Sequence, residues 1–320
     1  MPASRLALLC TLTTISTASG SGIDTAPSSG SSPSPSDSAA RTNIRPLPFF
    51  YDLFTFRGRG GSTAIVTAFA VEAGKLETET ADRRVRYRFS VTLVLADTAL
   101  GSVSNTHDTV FVDVRRPLAD DHLLYTHVEV LAPPSGTTRQ RVIMTDATQP
   151  GIGQLYSDRF PIPDYSGNHL MLSDIALGQP DARTGWRRGD VTLALLPTTQ
   201  FPSSAFDVYY EIYNLPAGHH YTTEIVIERA DRSGTGRAPE AEPVRLRFGG
   251  ESAAGPDAML PELRRVESSL SRGSYRLTVN ITDLNTGATA SRSRAFEVRG
   301  WERGATMVAA LPSAHGGGSR

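Results

Sequence analysis

The chain has 320 residues, 39% hydrophobic and 20% charged, with 32 Lys and Arg against 33 Asp and Glu for a net charge of -1. That length accommodates two domains with a core each, and the composition is that of a globular protein. A balanced charge gives no long-range attraction for nucleic acid or an anionic membrane, which excludes partners recruited through net charge.

The start, Met1-Pro-Ala-Ser-Arg5 followed by Leu6 to Ile15 and the small residues Ser16, Ala18, Ser19 and Gly20, has the layout of a secretory signal peptide over 1–20. Its apolar stretch is too short to cross a membrane, so the mature chain is expected to have no transmembrane segment and to be periplasmic or extracellular. Cys10, the lone cysteine, lies inside that stretch. Its removal would leave no disulfide, no cysteine-ligated metal and no thiol nucleophile. Residues 21–44 are rich in Ser, Pro, Gly, Thr and Ala and read as a disordered tether, because they offer too little apolar surface to offset the entropy of ordering.

From Leu47 onward the period is two rather than 3.6, and Gly, Pro, Asn and Asp punctuate it. Strands are expected over 49–56, 62–71, 84–93, 103–114, 123–131, 139–146 and 155–162. Val85, Tyr87, Phe89, Val91 and Leu93 alternate with Arg84, Arg86, Arg88, Ser90 and Thr92, the pattern of an antiparallel strand with one wet face. Seven strands suit a sandwich, giving a first domain over 45–178. Gly178 to Gly189 is rich in turn formers and reads as a proteolysis-sensitive linker over 179–189. A second domain over 190–300 repeats the scheme with strands at 191–196, 206–213, 221–229, 243–248, 263–270, 275–283 and 290–298, and 301–320 reads as a flexible tail. The fold class is all-β, two tandem antiparallel sandwiches of immunoglobulin or fibronectin type III kind.

The second domain carries the clearest local grammar. Leu270, Gly273 and Tyr275 resemble the corner of immunoglobulin-like and fibronectin type III domains, where a strand-initial Tyr returns its hydroxyl to nearby backbone. Leu277, Val279 and Ile281 then alternate with polar residues up to Asp283, and Asp283-Leu-Asn-Thr-Gly287 reads as a tight turn. A looser copy, Gly136 and Val142-Ile-Met144-Thr-Asp146 followed by Gly151, stands about one domain-length earlier.

Leu172-Ser-Asp-Ile175, Tyr209-Tyr-Glu-Ile-Tyr-Asn-Leu215 and the Gly273 to Gly287 block resemble the β-sandwich region of bacterial exported GWxTD-domain proteins, over most of Leu47 to Arg299. The naming motif is absent, since Gly185-Trp186 continues with Arg187, Arg188 and Gly189. The resemblance implies the fold and export and transfers no activity.

Candidate chemistry is sparse. Asp283, Asn285 and Gly287 have the opening spacing of a calcium loop without its later bidentate carboxylate, so a hairpin turn accounts for them. His219 and His220, with Glu224 near, are adjacent and point to opposite faces of a strand. His107-Asp108 and Asp120-Asp121-His122 stand beside no nucleophile motif, and Gly58-Arg-Gly-Gly61 lacks the ending of a phosphate loop. No catalytic residue, cofactor or metal is expected. Tyr209, Glu211 and Tyr213 share one strand face. Open, they would form a stacking platform for sugar rings with a carboxylate between; packed, they would be core, as tyrosine favours with its ring buried. Packing is the preferred outcome. The sequence thus points to an exported, non-catalytic module that binds a protein or cell-envelope component, with a polysaccharide as the alternative ligand and no nucleic acid.

Overall fold

The computed structural model describes residues 45–99, 101–149, 151–180, 185–198, 205–230, 242–253, 258–267 and 270–298, and the backbone of 308–309 and 311–312. The expected signal peptide, the tether, residues 181–184 of the expected linker and the rest of the tail lie outside the described residues.

The chain is all-β. Its strands are β1 (Arg45–Pro46), β2 (Phe50–Arg57), β3 (Thr63–Glu72), β4 (Thr78–Ala81), β5 (Arg84–Asp97), β6 (Ser102–Val114), β7 (Leu123–Ala132), β8 (Thr138–Asp146), β9 (Ile152–Arg159), β10 (Met171–Leu172) and β11 (Ala176–Pro180). Then follow β12 (Trp186–Arg188), β13 (Val191–Leu195), β14 (Ala205–Tyr213), β15 (His220–Arg229), β16 (Val244–Glu251), β17 (Met259–Glu267), β18 (Gly273–Asp283), β19 (Thr289–Val298), β20 (Val308–Ala309) and β21 (Leu311–Pro312). The 3₁₀ turn Ala73–Lys75 is the helical element among the described residues.

Pairing makes four sheets. Sheet 1 runs β1-β9-β8-β5-β6-β21 with β4 on β5, and sheet 2 runs β2-β3-β7-β20. In sheet 3, β14 is flanked by β17 on one side and by β10 and β11 on the other, and β13 and β12 continue beyond β11. Sheet 4 runs β16-β15-β18-β19. One strand order therefore occurs twice: β2-β3-β7 opposite β9-β8-β5-β6, and β11-β14-β17 opposite β19-β18-β15-β16.

Three cores separate the sheets and fix their sequence as layers. Phe69, Phe89, Leu93 and Val142 fill the space between sheets 1 and 2, and Phe206, Tyr210, Ile225 and Val279 that between sheets 3 and 4. The third core joins the sandwiches: Phe54, Phe56, Ala64, Val66 and Ala68 of sheet 2 meet Ala176, Trp186, Leu193, Leu195 and Tyr209 of sheet 3. Along β3, Ile65, Phe69 and Val71 point to sheet 1 while Ala64, Val66 and Ala68 point to sheet 3. Alanines on that side leave room for the larger rings of Trp186 and Tyr209, which is interdigitation of small against large. The described residues from Arg45 onward form one compact unit.

Two boundaries differ from the sequence expectation. Met171–Leu172 and Ala176–Gly178, placed in the first domain, pair with β14 in sheet 3. Gln179–Pro180 and Trp186–Arg188, placed in the linker, pair with β13. The glycines that resembled linker residues serve close approach instead. A Cβ on Gly178 would meet Leu193 Cγ at 2.6 Å, and one on Gly185 would meet the Leu193 carbonyl at 2.8 Å, so neither position has space for a side chain.

Candidate functional site

The candidate platform residues Tyr209, Glu211 and Tyr213 sit on β14, whose residues from Phe206 to Tyr213 are all buried. Alternation sends Phe206, Val208, Tyr210 and Ile212 into the core against sheet 4 and Tyr209, Glu211 and Tyr213 toward sheet 2. All three have a relative exposure of 0%. The face is packed, as preferred from the sequence, and the alternative of an open sugar platform is overturned: sheet 2 covers it, with Phe56 tilted against Tyr209 at 5.7 Å and the Arg57 guanidinium over the Tyr213 ring at 4.3 Å.

Glu211 is the hub. Its Oε1 accepts from Tyr209 Oη at 2.7 Å and Arg188 Nε at 2.7 Å. Its Oε2 accepts from Tyr213 Oη at 2.5 Å and Arg188 Nη2 at 3.0 Å. A carboxylate offers about four lone-pair directions, and four donors take them, leaving none for a substrate proton. Burial, with the adjacent Glu211 charge, pushes the Tyr209 and Tyr213 hydroxyls above their ordinary pKa. Burial opposes the Arg188 charge, but the Glu211 hydrogen bonds and charge outweigh it and raise its pKa.

From this hub the network crosses layers. Arg188 Nη2 also donates to the Arg57 carbonyl in sheet 2 at 2.6 Å, and the Arg57 amide donates to Tyr213 Oη at 2.7 Å. The Glu211 amide donates to Ser173 Oγ at 2.9 Å. Next to Ser173, Asp174 Oδ2 accepts from the Thr55 amide at 2.9 Å and Thr55 Oγ1 at 2.6 Å, while its Oδ1 accepts from Arg292 Nε at 2.8 Å. Arg294, also on β19, pairs with Asp52 of β2, and Asp52 further accepts from Thr198 Oγ1. Trp186, stacked on Phe56 at 5.0 Å, donates Nε1 to Glu129 Oε2 of β7 at 3.1 Å. Carboxylates and arginines from sheets 2, 3 and 4 thus interlock across the joint.

The expected corner in the second sandwich has its own geometry. Gly273 has φ 153°, and Tyr275 Oη donates to the Ser271 carbonyl at 2.8 Å. Asp283 Oδ1 accepts from the Asn285 amide at 2.9 Å, and its Oδ2 accepts from Thr286 Oγ1 at 2.6 Å and contacts His219 Nδ1 at 2.9 Å. Burial pushes its carboxyl up, but the bonds from Thr286, His219 and the Asn285 amide outweigh that and bring its pKa to about 2. All of these partners are the turn's own residues and the β15 approach, so Asp283 organises a hairpin.

The remaining candidates are spread out. Glu224 pairs with Arg245 and Arg247, His107 Nδ1 contacts Thr92 Oγ1 at 2.8 Å, and Gly60 and Gly61 have positive φ in the β2–β3 turn. No group of three His, Cys, Asp or Glu side chains among the described residues converges to hold a metal ion. No described helix is long and apolar enough to cross a membrane.

Sequence reasoning missed Trp186, Arg188, Arg57, Asp174, Arg292 and Arg294. A readable signal existed for two: Arg292 and Arg294 occupy the same alternation class on β19 as Phe296 and Val298, which are buried, so the period assigned them to the inner face.

No family model and no curated protein matches the chain. Among solved structures it is similar to red sea bream transglutaminase, at 11% identity over 78% of this chain and 31% of that one, with a TM-score of 0.23. It is also similar to Bacteroides uniformis β-glucuronidase 2 covalently bound to cyclophellitol-6-carboxylate aziridine, at 9% identity over 72% of this chain and 26% of that one, with a TM-score of 0.23. The chain spans less than a third of either.

Proposed function

We propose that this chain is an exported, non-catalytic protein of two immunoglobulin- or fibronectin type III-like sandwiches fused face to face, a rigid interaction or structural module at the bacterial cell envelope. The twice-used strand order supports the sandwich type, since a Greek-key arrangement places sequence-distant strands side by side in this way. Export rests on the composition of Met1 to Gly20, and the resemblance to the sandwich region of GWxTD-domain proteins goes with it. The partner of this reading is a protein or an envelope component.

The observation that carries it is the saturation of Glu211. A buried carboxylate with Tyr and Arg neighbours is the kind of group a catalytic site would use, yet here four donors occupy it within a seam that holds layers together. The polysaccharide alternative loses its Tyr209 and Tyr213 platform for the same reason: both rings are covered.

Glu211→Gln separates cement from catalyst. As cement, it strands the Arg188 charge in the interior, and breaking a buried pair costs about 3–5 kcal/mol, visible as a lower urea midpoint. An unchanged midpoint would refute the structural role. For export, expression of the full chain in a bacterial host should yield protein cut between Ala18 and Gly20 outside the cytoplasm. Uncut precursor held in the cytosol would refute that part.

A further inference from the structure

We propose that the solvent face of sheet 1 over β9, β8, β5 and β6 is a docking surface for a carboxylated polysaccharide. The inference rests on reading the chain as an interaction module and gives that module a face.

Register assembles the surface from three rows: Arg159, Arg139, Ala96 and Val103; Ser157, Arg141, Val94 and Asn105; Leu155, Ile143, Thr92 and His107. None of these positions holds a carboxylate. Arg139, Arg141 and Arg159 are exposed, and no ion pair involves them among the described residues. Arg139 and Arg159 stand directly opposite each other, an arrangement that like charges disfavour. Elsewhere on the same sheet, Arg86 pairs with Asp113 and Arg88 with Glu79, and on the outer face of sheet 4 Arg245 and Arg247 share Glu224. The three arginines thus form an uncompensated cluster, rooted on backbone positions about 5 Å apart across strands and about 7 Å along one.

The chemistry around them selects the ligand. A guanidinium binds a carboxylate through two parallel hydrogen bonds. Beside the cluster, Ser157, Asn105, Thr92 and His107 supply donors and acceptors suited to hydroxyl groups. Ala96 and Val94, flanked by the exposed Val103 and Leu155, make a shallow floor, and these three rows hold no aromatic anchor of the kind that concentrates binding energy at protein interfaces. An extended polymer that repeats carboxylate and hydroxyl groups fits a flat face of this kind. The net charge of -1 is too close to zero to repel a polyanion from a local arginine cluster.

The test is affinity electrophoresis of the full chain at low ionic strength through gels containing polygalacturonate, poly-L-glutamate or neutral dextran. Polygalacturonate should retard the protein, and dextran should not. Replacing the cluster (Arg139→Gln, Arg141→Gln, Arg159→Gln) should weaken retardation about tenfold, the combined effect of three exposed ion pairs. Arg245→Gln with Arg247→Gln and Arg276→Gln should leave it unchanged. Should the first triple lower the unfolding midpoint, Arg159→Glu alone carries the test, with about threefold weakening expected. Equal losses from both triples would reduce the effect to general charge, retardation by poly-L-glutamate alone would point to an acidic protein, and no retardation at all would leave no ligand; each overturns the proposal. None touches the rigid-module reading, which the stability of Glu211→Gln decides separately.

Discussion

At the scale of single residues, the buried carboxylates among the described residues, such as Asp97, Asp146, Asp174, Glu211 and Asp283, are paired with neighbours that hold layers or turns in place. Asp283 shows the consequence for pH. Its pKa in the fold is about 2 against about 3.9 for a free aspartate, so its contribution is complete above the unfolded value and is lost as pH falls through the folded one. Urea midpoints of the wild type and Asp283→Asn should therefore differ at pH 6 and converge between pH 4 and 2. A difference that persists undiminished at pH 2 would show that the hairpin does not depend on the carboxylate charge. Tyr209 gives a second test. Its ring is fully buried between Phe56 and Trp186, so Tyr209→Ala should cost about 3–5 kcal/mol, whereas the smaller deletion in Tyr209→Phe removes one of the four Glu211 donors. A destabilised Ala variant is the signature of core and not of an exposed platform.

Among elements, the segment from Met171 to Arg188 best shows how composition misleads. Gly178, Pro180, Gly185 and Gly189 suggest a linker, but β10, β11 and β12 build part of sheet 3. Gly178 and Gly185 leave space for Leu193, and Gly178→Ala forces its Cβ into Leu193 Cγ at 2.6 Å. Overpacking of that kind costs about 1–3 kcal/mol, and a thermal melt of Gly178→Ala should show it. A neutral result would mean that β11 and β13 separate easily and that the segment is a linker after all. Elsewhere the alternation read along the chain matches the elements closely: β5 and β18 alternate buried with less buried residues along most of their length, as strands with one wet face must. The copied motif also has a structural meaning, since Asp146 and Asp283 each end a strand and accept the backbone amide two residues on.

For the molecule as a whole, the joint between sheets 2 and 3 decides whether two sandwiches unfold as one. Phe54, Phe56, Trp186 and Tyr209 make it apolar, and the Glu211, Asp174 and Asp52 networks lock its register. In a Trp301→Phe variant the fluorescence of Trp186 reports this seam alone. Its unfolding transition should coincide with that of far-UV circular dichroism, as two-state behaviour requires. A fluorescence transition that precedes loss of strand structure would show that the sandwiches part before they unfold.

The sequence by itself determined the strands and the class, because side-chain alternation is a local property and the turn residues that bound it are local too. It also held an unread sign of the joint. Thr63-Ala-Ile-Val-Thr-Ala-Phe-Ala-Val71 has no charged residue, and a strand without a polar face is one covered on both sides. What covers it was not in the sequence. Which sheet meets β3, why Glu211 lies buried with Arg188 from a segment that read as a linker, and why Arg292 reaches Asp174 all depend on contacts between residues distant along the chain. Alternation states that a face is buried but not against what; the tertiary structure alone chose the partner and so turned two sandwiches into one four-layered block.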